Sequence, residues 1–233
     1  WRFQLEPLLS THLPLPGPFE SVAVYTSKPY QYSEEAFYGR LEKMPTKLLR
    51  YHVLSPADDQ IITPGEADKL LASRKKQEDG EYPWTTLELN ITADEKKELS
   101  TMIREFTDNK PMNSGNFTVA AVQWLHERHE YVRTQIPKNN NGADPVIDWL
   151  KTDKPGHCEY FAYGFQLLAR AAGHPTRVIC GFAGQEYSKQ EGIHVSRLSM
   201  AHAWAEIFDG YRWIRVEATP PEPGQGEDEG EEG

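Results

Sequence analysis

Apolar residues recur at helical spacing through the middle of the chain and alternate with polar ones toward its end. Leu99, Met102, Ile103 and Phe106 form one stripe of an amphipathic helix. Thr92 with Glu95 makes a capping box ahead of it, and Asp94 and Glu95 suit its first turn. A second helix is predicted over about 117–131, where Val119, Val122 and Trp124 sit among alanines. Asp144 as cap and Pro145 at the first position open a short helix anchored by Val146, Ile147, Trp149 and Leu150. A third long helix, 158–172, has Phe161, Phe165, Leu168 and Ala172 on one face, and Gly173 closes it. Strands are predicted at 176–182, 200–208 and 211–219, the last two joined at Asp209-Gly210, a dipeptide that favours a two-residue hairpin turn. Between them, 184–199 is a polar excursion with Ile193 and Val195 its strand-forming residues.

The first third is less regular. Strands are expected at 19–26, 47–54 and 84–91, the last with Thr85, Leu87, Leu89 and Ile91 on one side. Residues 33–40 suit a short helix or an irregular loop, Pro64-Gly65 a turn, and 66–76 a short helix. The proline- and leucine-rich stretch 1–18 reads as an extended arm or a flexible end. The expected organisation is an N-terminal arm and small mixed lobe over 1–91, a core over 92–220, and an acidic tail over 221–233.

Composition narrows the function classes. At 233 residues with 38% hydrophobic content, the chain can bury a substantial core. Glu222, Glu227, Asp228, Glu229, Glu231 and Glu232 supply more than half of the net charge of −10, so acidity belongs mostly to the tail. No basic block stands out as a nucleic-acid footprint; Arg74-Lys75-Lys76 is short and suits a solvated helix end. Two cysteines make no disulfide framework, and a bridge from Cys158 to Cys180 would silence the nucleophile argued below. Cys180 itself reads as a small core residue. The chain contains no run of 18 apolar residues. Its start at Trp1 fits a piece excised from a longer parent.

The chemistry centres on Gly156-His-Cys-Glu-Tyr-Phe-Ala162. A Pro-Gly turn delivers Cys158 to a helix start, where unpaired N–H groups and the dipole favour a thiolate. Such a thiolate is a nucleophile when a base and an orienting group stand beside it. A two-residue turn at Asp209-Gly210 sets His202 directly opposite Glu217 across the hairpin. Glu217 can then hold one imidazole nitrogen while the other faces Cys158. The same register pairs Trp204 with Arg215 and Glu206 with Trp213. The backbone N–H of Cys158 is one donor for an oxyanion, with Gln135 and Tyr131 considered for a second. His126 and His129 read as solvent-side, His174 as structural or exposed, and His194 as a residue near the cleft. His157, Cys158, His202 and Glu217 could ligate zinc, but the CxxC and HxxxH clusters usual for zinc are absent, so no metal is expected.

Gly156-His-Cys-Glu-Tyr-Phe-Ala162, Thr176-Arg-Val-Ile-Cys-Gly181, Ala201-His-Ala-Trp-Ala-Glu206 and Trp213-Ile-Arg-Val-Glu-Ala-Thr-Pro220 together resemble the transglutaminase-like superfamily. The resemblance is closest to the extracytoplasmic domain of bacterial membrane-bound transglutaminase-like proteins. It implies an α+β, papain-like cysteine-protease type of fold, with the nucleophile helix packed on an antiparallel sheet. It makes Cys158 the nucleophile, His202 its base partner and Glu217 the orienting carboxylate, where the family usually carries aspartate. The implied activity is acyl transfer or hydrolysis on protein or peptide amides through a thioester, as a transglutaminase, protease or deamidase. The alternative is a non-catalytic peptide-binding or scaffold module on the same fold. Implied partners are a protein or peptide substrate with glutamine or other amide groups, and a primary-amine acceptor. No cofactor is expected, and the family's calcium sites are not carried over because the chain has no EF-hand-like acidic loop. The expected location is outside the cytoplasm, periplasmic or at the cell surface, in a membrane-anchored bacterial parent.

Overall fold

A computed structural model describes residues 2–7, 10–15, 21–26, 29–33, 38–54, 87–133, 144–210 and 213–221. The chain divides into two units, Trp1–Lys69 and Leu70–Gly233. The expected turn at Pro64-Gly65, the helix at 66–76, the asparagine-rich loop at 137–142 and the acidic tail beyond 221 lie outside the described residues.

In the first unit, alternation sets the sheet. Strands β1 (Arg2–Leu5), β2 (Ser21–Val24), β3 (Tyr30–Ser33), β4 (Tyr38–Leu41) and β5 (Leu49–Leu54) form two antiparallel groups, β1-β5-β2 and β3-β4. Leu49, Tyr51 and Val53 alternate into the core, joined by Leu5, Leu13, Val22 and Leu41. Tyr51 is buried, and its hydroxyl donates to the Pro14 carbonyl at 2.7 Å. Two expectations change here. Part of the N-terminal arm is strand β1, because Arg2 to Leu5 finds a ladder partner on β5. The stretch read as helix or loop instead contributes the end of β3 and most of β4.

The second unit is built around one helix. Helices α1 (Ala93–Thr107), α2 (Ser114–Arg128), α3 (Pro145–Leu150) and α4 (Cys158–Ala171) are followed by β6 (Thr176–Phe182), β7 (Glu186–Ser188), β8 (Ile193–Val195), β9 (Ala201–Phe208) and β10 (Trp213–Val216). Local signals start the helices. The Thr92–Glu95 capping box forms in both directions, and Asp144 Oδ1 accepts from the amides of Val146 and Ile147. Glu95 also accepts from the Asp144 amide at 3.1 Å, so one carboxylate ties the starts of α1 and α3 together. These backbone and hydroxyl donors of Thr92, then the Asp144 amide, hold the Glu95 carboxyl below its ordinary range.

Helix α4 buries Tyr160, Phe161, Phe165, Leu168 and Ala169, packing against α1, α2 and α3 and against β9 and β6. The antiparallel sheet runs β10-β9-β6, and Ala203, Ala205 and Ile207 are the buried side chains of β9, joined by Thr176 of β6 and Val216 of β10. Small residues at 203 and 205 let the helix approach the sheet closely. Gly173 closes α4 with φ of 91°. Among the described residues, no helix is long and apolar enough to cross a membrane.

Four expectations are corrected in this unit. Helix α2 begins at Ser114, capped by Asn113, and ends at Arg128; its buried face is Phe117, Ala121, Trp124 and Leu125, while Val119 is exposed. Residues 84–86 of the expected strand lie outside the described residues, and 87–91 join no ladder among the described residues; the Glu88 carbonyl accepts from Arg170 Nη1 at 2.9 Å. Cys180 is exposed rather than in the core. The hairpin register also differs. The last pair before the turn is Phe208 with Trp213, so four residues span it, not two. Arg215 thereby pairs with Glu206 and Val216 with Ala205. A shift of two leaves every side chain on the face it was assigned, because strands repeat every two residues. The excursion at 184–199 folds as the small β7-β8 hairpin and a 3₁₀ turn, Leu198–Met200.

Candidate active site

The turn before Cys158 is anchored from both sides. The Gly156 amide donates to Glu130 O at 3.0 Å, and the Val132 amide donates to Gly156 O at 2.9 Å. Beneath it lies Trp149, whose indole Nε1 donates to Lys154 O at 2.9 Å. The His129 ring stacks on Trp149 with centroids 3.8 Å apart, and its Nδ1 donates to the same Lys154 oxygen at 2.9 Å. A Cβ at position 156 would lie 2.8 Å from Trp149 Cζ2, so only glycine lets the backbone pass this close. His157 then caps the helix, its Nδ1 accepting from the Glu159 amide at 3.3 Å. Cys158 is therefore the first residue of a helix whose approach is clamped.

The sulfur is half-buried and unbridged. Burial pushes the Cys158 thiol up, and the Glu159 carboxylate adds to that rise. The amides of Ala203, Glu159 and Cys158 itself oppose it by favouring the anion. Desolvation is the largest of these effects, so the net direction is upward, against the lowering that a helix start favours. The Ala203 contact sets the sulfur against β9, one residue from His202.

His202 donates from Nε2 to Glu217 Oε2 at 2.9 Å. With that proton on Nε2, the neutral ring keeps its lone pair on Nδ1, available to a thiol. No hydrogen bond joins Cys158 to His202 among the described residues; the two are brought together through β9, whereas His202 and Glu217 touch directly. Continuing the observed register sets Glu217 level with Trp204, so it meets His202 along a diagonal. Diagonal neighbours stand about 7–8 Å apart, within reach of a long side chain. Glu217 Oε1 accepts from the Thr219 amide at 3.2 Å, and Arg215 Nη2 lies 3.4 Å from Oε2.

Of the side chains considered for a second oxyanion donor, Tyr131 belongs to the segment bridged to Gly156, and Gln135 lies outside the described residues. The other histidines are spoken for. His126 and His129 both turn inward, against the reading from sequence. His126 Nε2 donates to Ala218 O at 3.1 Å, beside Glu217, and His129 is only 2% exposed. Burial holds His129 below its ordinary pKa, and its Nε2 has no partner among the described residues. Their position was readable in principle, since His129 continues the series Phe117, Ala121, Leu125 at four-residue steps. His174 packs on Phe117, and His194 sits on the β7-β8 hairpin beside Tyr187. A cleft of about 560 Å³ adjoins Glu217, between Val119, Val122 and His126 of α2 and Arg215 and Val216 of β10. Among the described residues, no group of three or more His, Cys, Asp or Glu side chains converges to hold a metal ion.

The family model described as "Transglutaminase-like superfamily" matches residues 100–218. Two curated proteins share 32% identity with the chain: a protein-glutamine gamma-glutamyltransferase of Pseudomonas aeruginosa, over 92 residues, and the uncharacterized protein YebA of Bacillus subtilis, over 96. Each alignment covers 39% of this chain but only 14% and 13% of the relative, so the chain corresponds to a small part of either protein. Among solved structures, the periplasmic domain of TgpA from Pseudomonas aeruginosa bound to ethylmercury superposes with a TM-score of 0.59 at 20% identity, covering 93% of this chain and 70% of that one. A second crystal structure of that domain gives 0.57 at 18% identity, covering 93% and 68%.

Proposed function

Because the chain belongs to the transglutaminase-like superfamily, we propose that it catalyses cysteine-dependent acyl transfer or hydrolysis on protein or peptide amides. The observation that carries this reading is the 2.9 Å bond from His202 Nε2 to Glu217 Oε2, beside the Ala203 amide that touches Cys158. Cys158 Sγ attacks the amide carbonyl carbon while its proton moves to His202 Nδ1. The Cys158 backbone N–H receives the developing oxyanion. The C–N bond then breaks, and the imidazolium returns the proton to the leaving nitrogen, leaving a thioester. Glu217 keeps the ring in the required tautomer and steadies its positive form. A primary amine or water, deprotonated by His202, attacks the thioester and restores the thiol. A thiol raised by burial suits this order, since deprotonation accompanies attack.

The substrate class is a protein or peptide with glutamine or other amide groups, with a primary amine as acceptor where transfer wins. The core of the activity is assigned to 92–220, with 1–91 as an accompanying arm and lobe and 221–233 as an acidic linker or tail. The periplasmic setting of the TgpA domain supports placing this chain outside the cytoplasm, in a membrane-associated bacterial parent.

The test is incubation with a glutamine-bearing protein such as casein and a labelled primary amine, read by mass spectrometry. Amine incorporation, deamidation or chain cleavage that disappears in Cys158→Ala supports the reading. If none of the three products exceeds the Cys158→Ala control, the reading fails and a non-catalytic peptide-binding module takes its place.

A further inference from the structure

One oxygen of Glu217 serves two donors. Oε2 accepts from His202 Nε2 at 2.9 Å and lies 3.4 Å from Arg215 Nη2. Arg215 is in turn held by Trp204, with its guanidinium carbon 4.5 Å from the ring centroid. The Trp204 ring needs a bare backbone beside it. A Cβ on Gly181, the residue paired with His202, would lie 2.8 Å from Trp204 Cη2. The stack therefore runs from Gly181 through Trp204 and Arg215 to the carboxylate that holds His202.

We propose that Arg215 is a positioning residue: stacked on Trp204, it fixes the Glu217 carboxylate against His202. This rests on the functional reading above and deepens it. Arg215 and Glu217 are both partly exposed, and an ion pair of that kind adds little stability. Its effect is on geometry and charge. Glutamate has three rotatable side-chain bonds, and reaching His202 on a diagonal leaves its head poorly determined. The Thr219 amide fixes Oε1 and Arg215 fixes Oε2. The planar guanidinium suits this because it can stack on an indole and donate from its edge at once, which an ammonium cannot.

The arrangement also sets one cation beside the His202–Glu217 pair. The charged groups tied to the ring are Glu217, one residue beyond β10, and Arg215 of β10; Cys158 of α4 meets the neighbouring Ala203 amide, His126 of α2 bonds Ala218 O beside Glu217, and Arg177 of β6 lies farther along the sheet, opposite Glu206. Arg177 is already engaged, paired with Glu206 and stacked over Trp213 at 4.3 Å. Arg215 is thus the cation directed at the carboxylate of the pair. Its charge repels a second positive charge on the adjacent ring. Removing that charge lessens the repulsion against an imidazolium, which moves the acid limb of activity to higher pH.

The experiment follows the His202 ring by NMR titration in a Cys158→Ala background, where no turnover is needed. Arg215→Gln should raise the His202 midpoint by about half a pH unit. Arg215→Lys, which keeps the charge, should return most of that shift. Gly181→Ala drives Trp204 from beneath the guanidinium and should shift the midpoint the same way by less. In the Cys158 protein, the acid limb of the pH–rate profile should move with the titration. Gly181→Ala and Arg215→Lys provide the readout if Arg215→Gln lowers stability. An unchanged His202 midpoint in folded Arg215→Gln, or in folded Gly181→Ala where Arg215→Gln does not fold, overturns the proposal. Absence of turnover in the unmodified protein would sink the functional reading instead, and leaves this titration fully measurable.

Discussion

Gly156→Ala isolates the link between local packing and the thiol. The added methyl carbon would stand 2.8 Å from Trp149 Cζ2, 3.0 Å from Cε2 and 3.1 Å from Nε1. Ordinary carbon contacts lie at about 3.5–4.0 Å, so something must yield by roughly 0.7 Å or more. Trp149 is poorly able to do so. It is 2% exposed, stacked on His129 at 3.8 Å, and braced edge-on by Phe161 and Tyr160 with centroids 5.2 and 5.5 Å away. The loop must lift instead, stretching the two backbone bonds that Gly156 makes to Glu130 and Val132. Overpacking of this kind costs about 1–3 kcal/mol. The lift is passed to Cys158 two residues on, and a displacement near 1 Å can lower turnover by about 10²-fold. The assay pairs urea denaturation with alkylation and turnover under conditions where the variant is folded. The expected result is a lower midpoint together with an activity loss much larger than the unfolded fraction explains. Gly164→Ala is the control. Its Cβ would meet the same indole at 3.1 Å, but inside α4, where alanine regains about 1 kcal/mol of helix propensity. If Gly156→Ala matches the unaltered protein in midpoint and in alkylation rate, the clamp argument is wrong.

Two further outcomes follow from the titrating groups. Because burial raises the Cys158 thiol, its reaction with iodoacetamide in Cys180→Ser should titrate above the ordinary thiol range; a midpoint below that range would contradict the burial argument. His129 is held neutral by burial, so its folded pKa lies below the unfolded value of about 6.5. Its contribution to stability is therefore present above the unfolded value and is lost as pH falls through it toward the folded value. Denaturation midpoints between pH 8 and pH 5 should fall more steeply in the unaltered protein than in His129→Gln, and equal slopes would refute the assignment.

Much of the second unit was legible because its signals are local. A cap acts within three residues, so the Thr92 box, the Asp144-Pro145 start and the strand at 176–182 could be placed from short stretches. The helix start at Cys158 follows from the same kind of signal. The faces of the hairpin were also legible, since alternation needs no partner to be counted. The first third was harder. Its strand β1 exists only because β5 offers a ladder, and nothing within Arg2 to Leu5 announces that pairing.

By itself, the sequence determined where α1, α3 and α4 start and which face of each hairpin strand carries polar groups, and it singled out Cys158, His202 and Glu217 as candidates. Only the tertiary structure decided how they meet. The four-residue turn moved Glu217 from directly opposite His202 to a diagonal, and its length is what lets the hydrogen bond form at 2.9 Å. The inward turn of His129, the Trp149 floor beneath Gly156, and the stacking of Arg215 on Trp204 all join residues distant in the chain. The upward shift of the Cys158 thiol belongs with them. A helix start favours the anion, but the burial that opposes it comes from the packing of α4 against the sheet. Short-range hydrogen bonding can be read along the chain; desolvation and register depend on what the fold brings from elsewhere.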